Sequence, residues 1–189
     1  MNYQINKKYK IIIPKNTIIL YHSEKNIITI LGPINKKSLK LNLKIKIFKN
    51  YNAIFVTNIP TNSLINTKRI KALQGTLTAK LKTLLTESSA IVHKTLKFNG
   101  IGYKSFNVNN FNNILNFKLG FSHSIYFKTA KNLNIFCIKQ TKLFIYGFSL
   151  ENVSKTAAKI QSLKFPEPYK GKGILNEYTK IKLKEGKKT

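Results

Sequence analysis

The sequence has no aspartate and little acid of any kind. Its 189 residues include six acidic side chains, all glutamate, against 34 lysines and arginines, and the formal net charge is +28. The three histidines, His22, His93 and His123, are far apart in the chain, and no aspartate is present to orient any of them. Since acid–base and nucleophilic catalysis depend on such partners, we expect these histidines to be structural or surface residues and the protein not to be an enzyme.

Cysteine is almost absent as well. Cys137 stands alone, so no disulfide can form within the chain, and it is expected to be a small core residue of an alternating strand. One cysteine and scattered histidines give no metal-ligand spacing. The segment Gly100–Tyr103 lacks the third glycine of a dinucleotide fingerprint, and Gly171-Lys172-Gly173 lacks the rest of a P-loop. We therefore expect no metal and no cofactor.

Long apolar runs are missing. Segments such as 11–13 and 18–21 are far shorter than the roughly 20 residues of a membrane span, and the first 14 residues match neither a secretory signal nor an Arg- and Ser-rich transit peptide. The sequence thus predicts a soluble intracellular protein with no membrane partner. Its heavy use of Lys, Asn, Ile, Phe and Tyr is typical of AT-rich genomes. This favours an organelle-encoded protein, mitochondrial first, with a plastid or an AT-rich bacterium as alternatives.

Positive charge and apolar side chains are what the chain does have. Hydrophobic residues make up 42% of it, with 12 Phe and 9 Tyr, which is enough for packed cores. The excess charge repels the compact state, so a polyanionic partner is expected to offset it. Every basic residue except Arg69 is lysine, a point charge that suits phosphate contacts better than bidentate reading of bases.

Hydrophobic periodicity divides the chain into two similar halves, each a set of strands followed by a helix. In the first half an amphipathic helix starts near Asn66, after strands at Tyr9–Ile13, Thr17–Tyr21, Asn26–Leu31, Lys37–Lys49 and Ala53–Thr57. In the second half Ser149 is a candidate N-cap and Pro166 ends the helix, after strands at Lys94–Phe98, Tyr103–Val108, Ile114–Leu119, Ile125–Lys128, Leu133–Ile138 and Lys142–Tyr146.

This order predicts an α+β protein of two tandem small domains, each an antiparallel sheet with a helix packed on one face. The predicted limits are residues 1–87 and 88–165, followed by a basic C-terminal extension at 166–189. The face that each helix leaves uncovered is a common platform for RNA, although core packing explains most of the aromatic residues.

The segment Pro166-Glu167-Pro168-Tyr169-Lys170-Gly171-Lys172-Gly173 combines two stiff prolines with two permissive glycines and two cations. Such a segment suits contact with phosphates, and an ordinary Pro/Gly tail is the alternative. Lys155 and Lys159, one turn apart on the second predicted helix, form a further basic pair.

Four motifs give the chain a recognisable pattern: Gly100–Tyr103, Leu119–His123, the helix Ser154–Leu163 with its two alanines, and Pro166–Ile174. In order and spacing they resemble the large-subunit ribosomal protein L-six family, strongly over residues 94–189 and weakly before about residue 66. The resemblance implies a non-enzymatic constituent of the large ribosomal subunit. It also implies binding to large-subunit rRNA near the sarcin–ricin loop and stalk base, beside neighbouring ribosomal proteins, with translation factors as indirect partners.

By match to the motifs, the resemblance implies RNA contacts at Lys104, Ser122, His123, Tyr169, Lys170, Gly171, Lys172 and Gly173. Phe165 and Leu175-Asn176 depart from the basic or polar residues that the family usually has there, which suggests a locally altered rRNA or an added protein neighbour. Two other functions stay open: a basic RNA-processing subunit outside the ribosome, and a protein on an anionic membrane surface.

Overall fold

The computed structural model describes residues 9–48, 52–61, 69–108, 114–130 and 132–186. The chain forms two compact units, Met1–Ile91 (unit 1) and Val92–Thr189 (unit 2). Each unit combines antiparallel strands with one helix, which confirms the predicted α+β class. The predicted domain limits stay a prediction, because compactness alone does not test independent folding.

The described residues of unit 1 form two three-stranded sheets, ordered β1-β6-β5 and β2-β3-β4, and one long helix. The elements are β1 Lys10–Ile12, β2 Ile18–His22, β3 Ile27–Leu31, β4 Lys36–Lys40, β5 Leu43–Phe48, β6 Ala53–Pro60 and α1 Ile70–Ser89. Helix α1 packs into the core through Leu77, Leu81 and Leu85, which are buried among strand residues such as Ile28 and Ile54. The predicted helix start near Asn66 lies outside the described residues.

One strand prediction is wrong. The segment 37–49 alternates like a single strand, but the structure divides it into β4 and β5, which belong to different sheets. The chain turns at Leu41 and Asn42, where the Leu41 N–H donates to the Asn26 carbonyl at 2.8 Å. Leu39 before the turn is half-buried, and Leu41 within it and Leu43 after it are buried. Buried and exposed residues therefore alternate through the turn, and the alternation does not reveal the break.

Unit 2 has a four-stranded sheet ordered β11-β12-β7-β13 and a three-stranded sheet ordered β10-β9-β8. The elements are β7 Val92–Asn99, β8 Lys104–Asn107, β9 Ile114–Lys118, β10 Ile125–Lys128, β11 Leu133–Lys139, β12 Lys142–Gly147, α2 Leu150–Ser162 and β13 Gly173–Asn176. Residues 109–113, between β8 and β9, lie outside the described residues.

Helix α2 covers one face of the four-stranded sheet. Val153, Ala157 and Ile160 are buried in a cluster with strand residues such as Leu96 and Ile145. Ser149 occupies the predicted N-cap position with an extended backbone, but its side chain makes no capping hydrogen bond. Glu151 lies in the first turn, where a negative charge interacts favourably with the helix dipole.

Strand β13 is the element that the sequence analysis missed. We expected an extended arm and tail after Pro166, yet Gly173–Asn176 pairs antiparallel with β7, with Ile174 opposite Phe98. Ile174 is fully buried, so the tail contributes to the core of unit 2. No helix in the described part of the chain is both long and apolar enough to cross a membrane.

Candidate nucleic-acid interface

One tyrosine joins two of the glycine motifs. Tyr103 is 8% exposed, and its ring lies against both the turn after β7 and the turn after β9. A Cβ on Gly100 would lie 3.0 Å from the ring, and a Cβ on Gly120 would lie 3.1 Å from it. Both glycines have positive φ, +150° and +73°, which other residues rarely adopt. Glycine is favoured at both positions, because a Cβ would push the ring by a few tenths of an ångström and would add the strain of a positive φ.

A second contact joins the turn at 120–123 to the end of α2. The Lys164 Nζ lies 4.5 Å from the centre of the Phe121 ring, a cation–π contact. On the same turn the rings of Phe121 and His123 stack with centres 5.8 Å apart. Ser122 and His123 are therefore exposed side chains next to the chain segment that leads into Pro166.

Residues 167–173, the basic loop, are held by their own backbone. The Glu167 N–H donates to the Lys172 carbonyl at 2.8 Å, and the Gly171 N–H donates to the Glu167 carbonyl at 2.9 Å. Gly171 has φ +67°, the left-handed conformation that this tight turn needs. The loop is thus a defined turn that exposes Lys170 and Lys172, where the sequence suggested a flexible tip.

The base of the basic loop is a close backbone crossing. Gly173 has φ +145°, and a Cβ there would lie 2.5 Å from the Pro166 Cα and 2.7 Å from the Phe165 carbonyl oxygen. Just below this crossing the Ile174 N–H donates to the Lys164 carbonyl at 3.0 Å. Since Ile174 belongs to β13, the loop is anchored directly to the sheet.

The basic loop forms one wall of an open groove of about 490 Å³. Lys170, Gly171 and Lys172 of the basic loop line this groove together with Gly100 and Ile101 of the turn between β7 and β8. The tail adds apolar side chains, including Leu183, and is held in place because the Lys184 N–H donates to the Pro168 carbonyl at 2.9 Å. The groove thus combines exposed cationic side chains with a backbone held by hydrogen bonds and shaped by glycines.

The predicted RNA-contact residues do not all meet. Tyr169 is 54% exposed and belongs to the basic loop with its two lysines. Lys104 lies opposite Lys118 in the β8–β9 pairing, and Lys155 and Lys159 are exposed on α2. None of these last three predicted lysines is among the described residues that line the groove.

Two residues at this site were missed from the sequence. Ile101 is 93% exposed at the tip of the turn between β7 and β8 and lines the groove, and Lys164 contacts Phe121. The sequence contained a signal for each residue. Ile101 stands between Gly100 and Gly102, and Lys164 lies at the end of the second predicted helix, just before Pro166. The contact partners depend on tertiary packing, which those signals do not contain.

Two of the six carboxylates form ion pairs in the described part of the chain. Within the described residues Glu87 pairs with Lys37 in unit 1, and in unit 2 Glu177 contacts Lys142 at 2.7 Å and Lys97 at 3.5 Å. The hydrogen bond from Lys142 holds the pKa of the Glu177 carboxyl below its usual value, against a smaller effect of desolvation. Six carboxylates cannot neutralise 34 cations, so most of the positive charge is available to a partner.

The described residues contain no group of three His, Cys, Asp or Glu side chains that could hold a metal. Cys137 is half-buried beside the core of unit 2, and its thiol lies 3.2 Å from the Asn107 Oδ1. Burial raises the pKa of the Cys137 thiol, so it stays protonated at neutral pH. This arrangement is that of a structural cysteine.

Fold and surface together define a class: a strongly basic α+β protein with a glycine-shaped cationic groove on its second unit. The family model described as "Ribosomal protein L6" matches residues 100–177. The chain is 32% identical to "Large ribosomal subunit protein uL6" of Mycoplasmoides gallisepticum over 179 residues, which cover 94% of this chain and 92% of the relative. It is 36% identical to the protein of that name from Mycoplasma capricolum subsp. capricolum over 165 residues, 87% of each chain. With the Shouchella clausii protein of that name it shares 31% identity over 180 residues, 95% of this chain and 96% of the relative. The chain belongs to the ribosomal protein L6 family.

Proposed function

We propose that this chain is a structural, non-enzymatic constituent of the large ribosomal subunit and that it binds large-subunit rRNA through unit 2. Membership of the family and the name that its relatives share, large ribosomal subunit protein uL6, support the ribosomal role. The observation that carries the RNA-binding site is the basic loop, in which Lys170 and Lys172 are exposed on a backbone fixed by Gly171 and Gly173.

The mechanism is electrostatic and geometric. Lysines that approach closely spaced phosphates displace condensed counterions, and the release of those ions drives binding. Glycines at 171 and 173 leave no Cβ to hold RNA away from the backbone. Contacts to phosphate and sugar fix position and orientation without reading bases, so preference for a site comes from RNA shape.

The finer placement is also a proposal. The resemblance of the four motifs supports binding near the sarcin–ricin loop and the stalk base, where the protein supports the region that recruits translation factors. Neighbouring ribosomal proteins are then direct partners and translation factors indirect ones. We assign RNA contact to Lys104, Ser122, His123, Lys155, Lys159, Tyr169, Lys170, Gly171, Lys172 and Gly173.

The cellular location is a separate proposal. The AT-type composition favours a mitochondrial ribosome, and a plastid or an AT-rich bacterium is the alternative. The relatives described above come from bacteria, which fits a bacterial-type ribosome in any of these settings.

The test compares two double variants with the same loss of charge. Lys170→Ala with Lys172→Ala removes both cations of the basic loop, and Lys80→Ala with Lys82→Ala removes two exposed lysines of α1. Binding to an rRNA fragment with the sarcin–ricin region is measured across a salt series, beside a scrambled RNA of equal length. We expect the loop variant to bind roughly 10- to 100-fold more weakly, with a salt slope smaller by about 1.5–2. The α1 variant should change little.

Equal weakening by both variants would mean that total charge explains binding and would overturn the assignment to the loop. A circular dichroism melt of each variant separates this from misfolding. Sedimentation with large subunits distinguishes the second function: a processing subunit outside the ribosome would leave the subunits during a salt wash that retains integral ribosomal proteins.

A further inference from the structure

The face of the four-stranded sheet opposite α2 carries side chains in ordered rows. Residues in register lie side by side on one face of a sheet, and rows two residues apart along a strand are about 6.7 Å apart. Lys142 has Lys97 on one side and Lys139 on the other, which forms a row of three cations. In the next row Phe144 lies between Thr95 and Phe136.

The third row continues the aromatic surface, because Tyr146 lies beside His93 on β7. Four rings therefore form one connected set, the aromatic face. Their centres are separated by 5.3 Å for His93–Phe144, 5.8 Å for Phe144–Tyr146 and 5.7 Å for Phe136–Tyr146. The planes of Phe136 and Tyr146 differ by 12°, so these two rings are nearly parallel.

The aromatic face is accessible in the structure. Phe136 is 52% exposed and His93 is exposed, whereas Phe144 and Tyr146 are half-buried between their neighbours. The opposite side of the same strands packs against α2 and forms the core of unit 2. The four rings are not part of that core. A contiguous patch of exposed rings is unusual on a solvated surface and indicates a binding site.

The charge beside the rings selects the kind of partner. The adjacent row contains Lys97, Lys139 and Lys142, and Glu177 is the carboxylate that pairs with two of them. The row therefore keeps a net positive charge, on a chain of net charge +28. An apolar protein surface would gain nothing from such a row, but a single-stranded nucleic acid offers flat bases for the rings and phosphates for the lysines.

We propose that the aromatic face is a second RNA-binding surface, which stacks unpaired bases on Phe136, Tyr146 and Phe144 while the lysine row contacts the adjoining phosphates. It is distinct from the basic loop, because neither these rings nor the lysines of the row are among the described residues that line the groove. Stacking on aromatic side chains tolerates different bases, so this surface is selective for single strands more than for sequence.

The first experiment uses the absence of tryptophan from the chain. The full-length variant Phe136→Trp contains one indole, placed on the aromatic face, and its fluorescence is titrated with a 12-nucleotide oligo(U) and with an RNA duplex of equal length. We expect the oligo(U) to quench the emission and the duplex to quench it far less. Acrylamide quenching of the free variant is measured in parallel and should be efficient.

Anisotropy of labelled oligo(U) measures binding independently of the tryptophan. If oligo(U) bound without quenching the emission, or if the duplex quenched it equally, the proposal would be overturned. A tryptophan protected from acrylamide in the free protein would show that the face is already covered and would overturn it too.

The second experiment separates stacking from general apolar contact. Phe136→Leu keeps an apolar side chain but removes the ring, and Ile138→Thr changes an exposed apolar residue without a ring on the same strand. We expect Phe136→Leu to weaken oligo(U) binding about 5- to 100-fold and Ile138→Thr to leave it nearly unchanged. Equal effects of the two would indicate docking of a protein surface and contradict base stacking.

The two proposals can fail separately. Lys170→Ala with Lys172→Ala, introduced into the Phe136→Trp variant, should leave the quenching by oligo(U) intact, so a failure of the aromatic face is distinguishable from a failure of the basic loop.

Discussion

Units 1 and 2 share a plan but differ in where their backbone takes unusual conformations. Among the described residues, all five glycines with positive φ belong to unit 2: Gly100, Gly102, Gly120, Gly171 and Gly173. In the described part of unit 1 the positive-φ positions are Asn26 and Asn52. Unit 1 also has one close approach at a glycine, since a Cβ on Gly32 would clash with the Ser88 carbonyl oxygen. What distinguishes unit 2 among the described residues is therefore its set of glycines with positive φ.

The difference indicates how the two units divide their roles. Sheets packed with a helix are common to both, and lysines are spread over both, so neither feature distinguishes the proposed RNA-binding unit. The match to the family model, residues 100–177, lies wholly in unit 2. We infer that the backbone shape of its loops, more than its number of cations, would give unit 2 its preference for a particular RNA site.

A pair of glycine substitutions tests this difference between the units with the largest expected effect. Gly173→Ala places a Cβ 2.5 Å from the Pro166 Cα at a φ of +145°, whereas Gly75→Ala lies in the middle of α1 with no atom within 4 Å. We expect Gly173→Ala to lower the free energy of unfolding by about 2–5 kcal/mol. Gly75→Ala should raise it by about 0.5–1 kcal/mol, because alanine is the better helix former.

Urea unfolding followed by circular dichroism measures both changes. Two substitutions of the same chemistry with effects of opposite sign would show that the close crossing at Gly173 is a structural requirement. If Gly173→Ala were as stable as the parent protein, the crossing would be able to relax, and the distinction between the units would lose its basis.

A smaller effect is expected at the turn beside α2. Phe121→Ala removes the ring that contacts Lys164 and stacks on His123, so both side chains lose their orientation. Since an exposed cation–π contact contributes about 0.5–1 kcal/mol, we expect rRNA affinity to fall roughly 2- to 5-fold. Ile18→Ala, an exposed apolar truncation in unit 1, is the matched control and should have no effect on affinity. A fall of equal size in both would argue against a role for this turn.

The smallest expected effect concerns acid. The hydrogen bond from Lys142 lowers the pKa of Glu177 in the folded state, so the pair stabilises unit 2 above the pKa of the unfolded chain. This stabilisation is lost as the pH falls through the lowered folded-state pKa. Thermal melts of the parent and of Glu177→Gln, compared at pH 7 and at successively lower pH, should therefore differ slightly at neutral pH and converge in acid. A difference that grew as the pH fell would contradict the assignment.

Much of the fold could be predicted from local pattern. The stripes of α1 and α2 and most strands of unit 2 appear in the structure close to their predicted positions. The prediction failed where the answer depends on distant partners. Strand β13 is a short segment that begins at Gly173. Its extended conformation depends on pairing with β7, more than seventy residues earlier in the chain. The break between β4 and β5 leaves the hydrophobic alternation intact, so no local signal marks it.

The candidate site was predictable in parts but not as a whole. The composition of the basic loop identified its lysines and glycines, whereas its closure by backbone hydrogen bonds and its groove depend on tertiary structure. The aromatic face shows the same limit. Alternation places Phe144 and Tyr146 on one side of a strand, but only the register shows that Phe136 and His93 lie beside them.

The ring of Tyr103, shared by two turns, also constrains how this sequence can change. Gly100 and Gly120 are twenty residues apart in the chain, yet a Cβ at either position would press on the same ring, and the new residue would also adopt a strained positive φ. A smaller residue at position 103 would relieve the contact at both glycines but not the backbone strain, and the loss of the ring would loosen both turns. The three positions therefore form one mutational unit, in which single changes are harmful and their effects do not add. Variation in this protein is expected to bypass the triplet and accumulate on the strands around it.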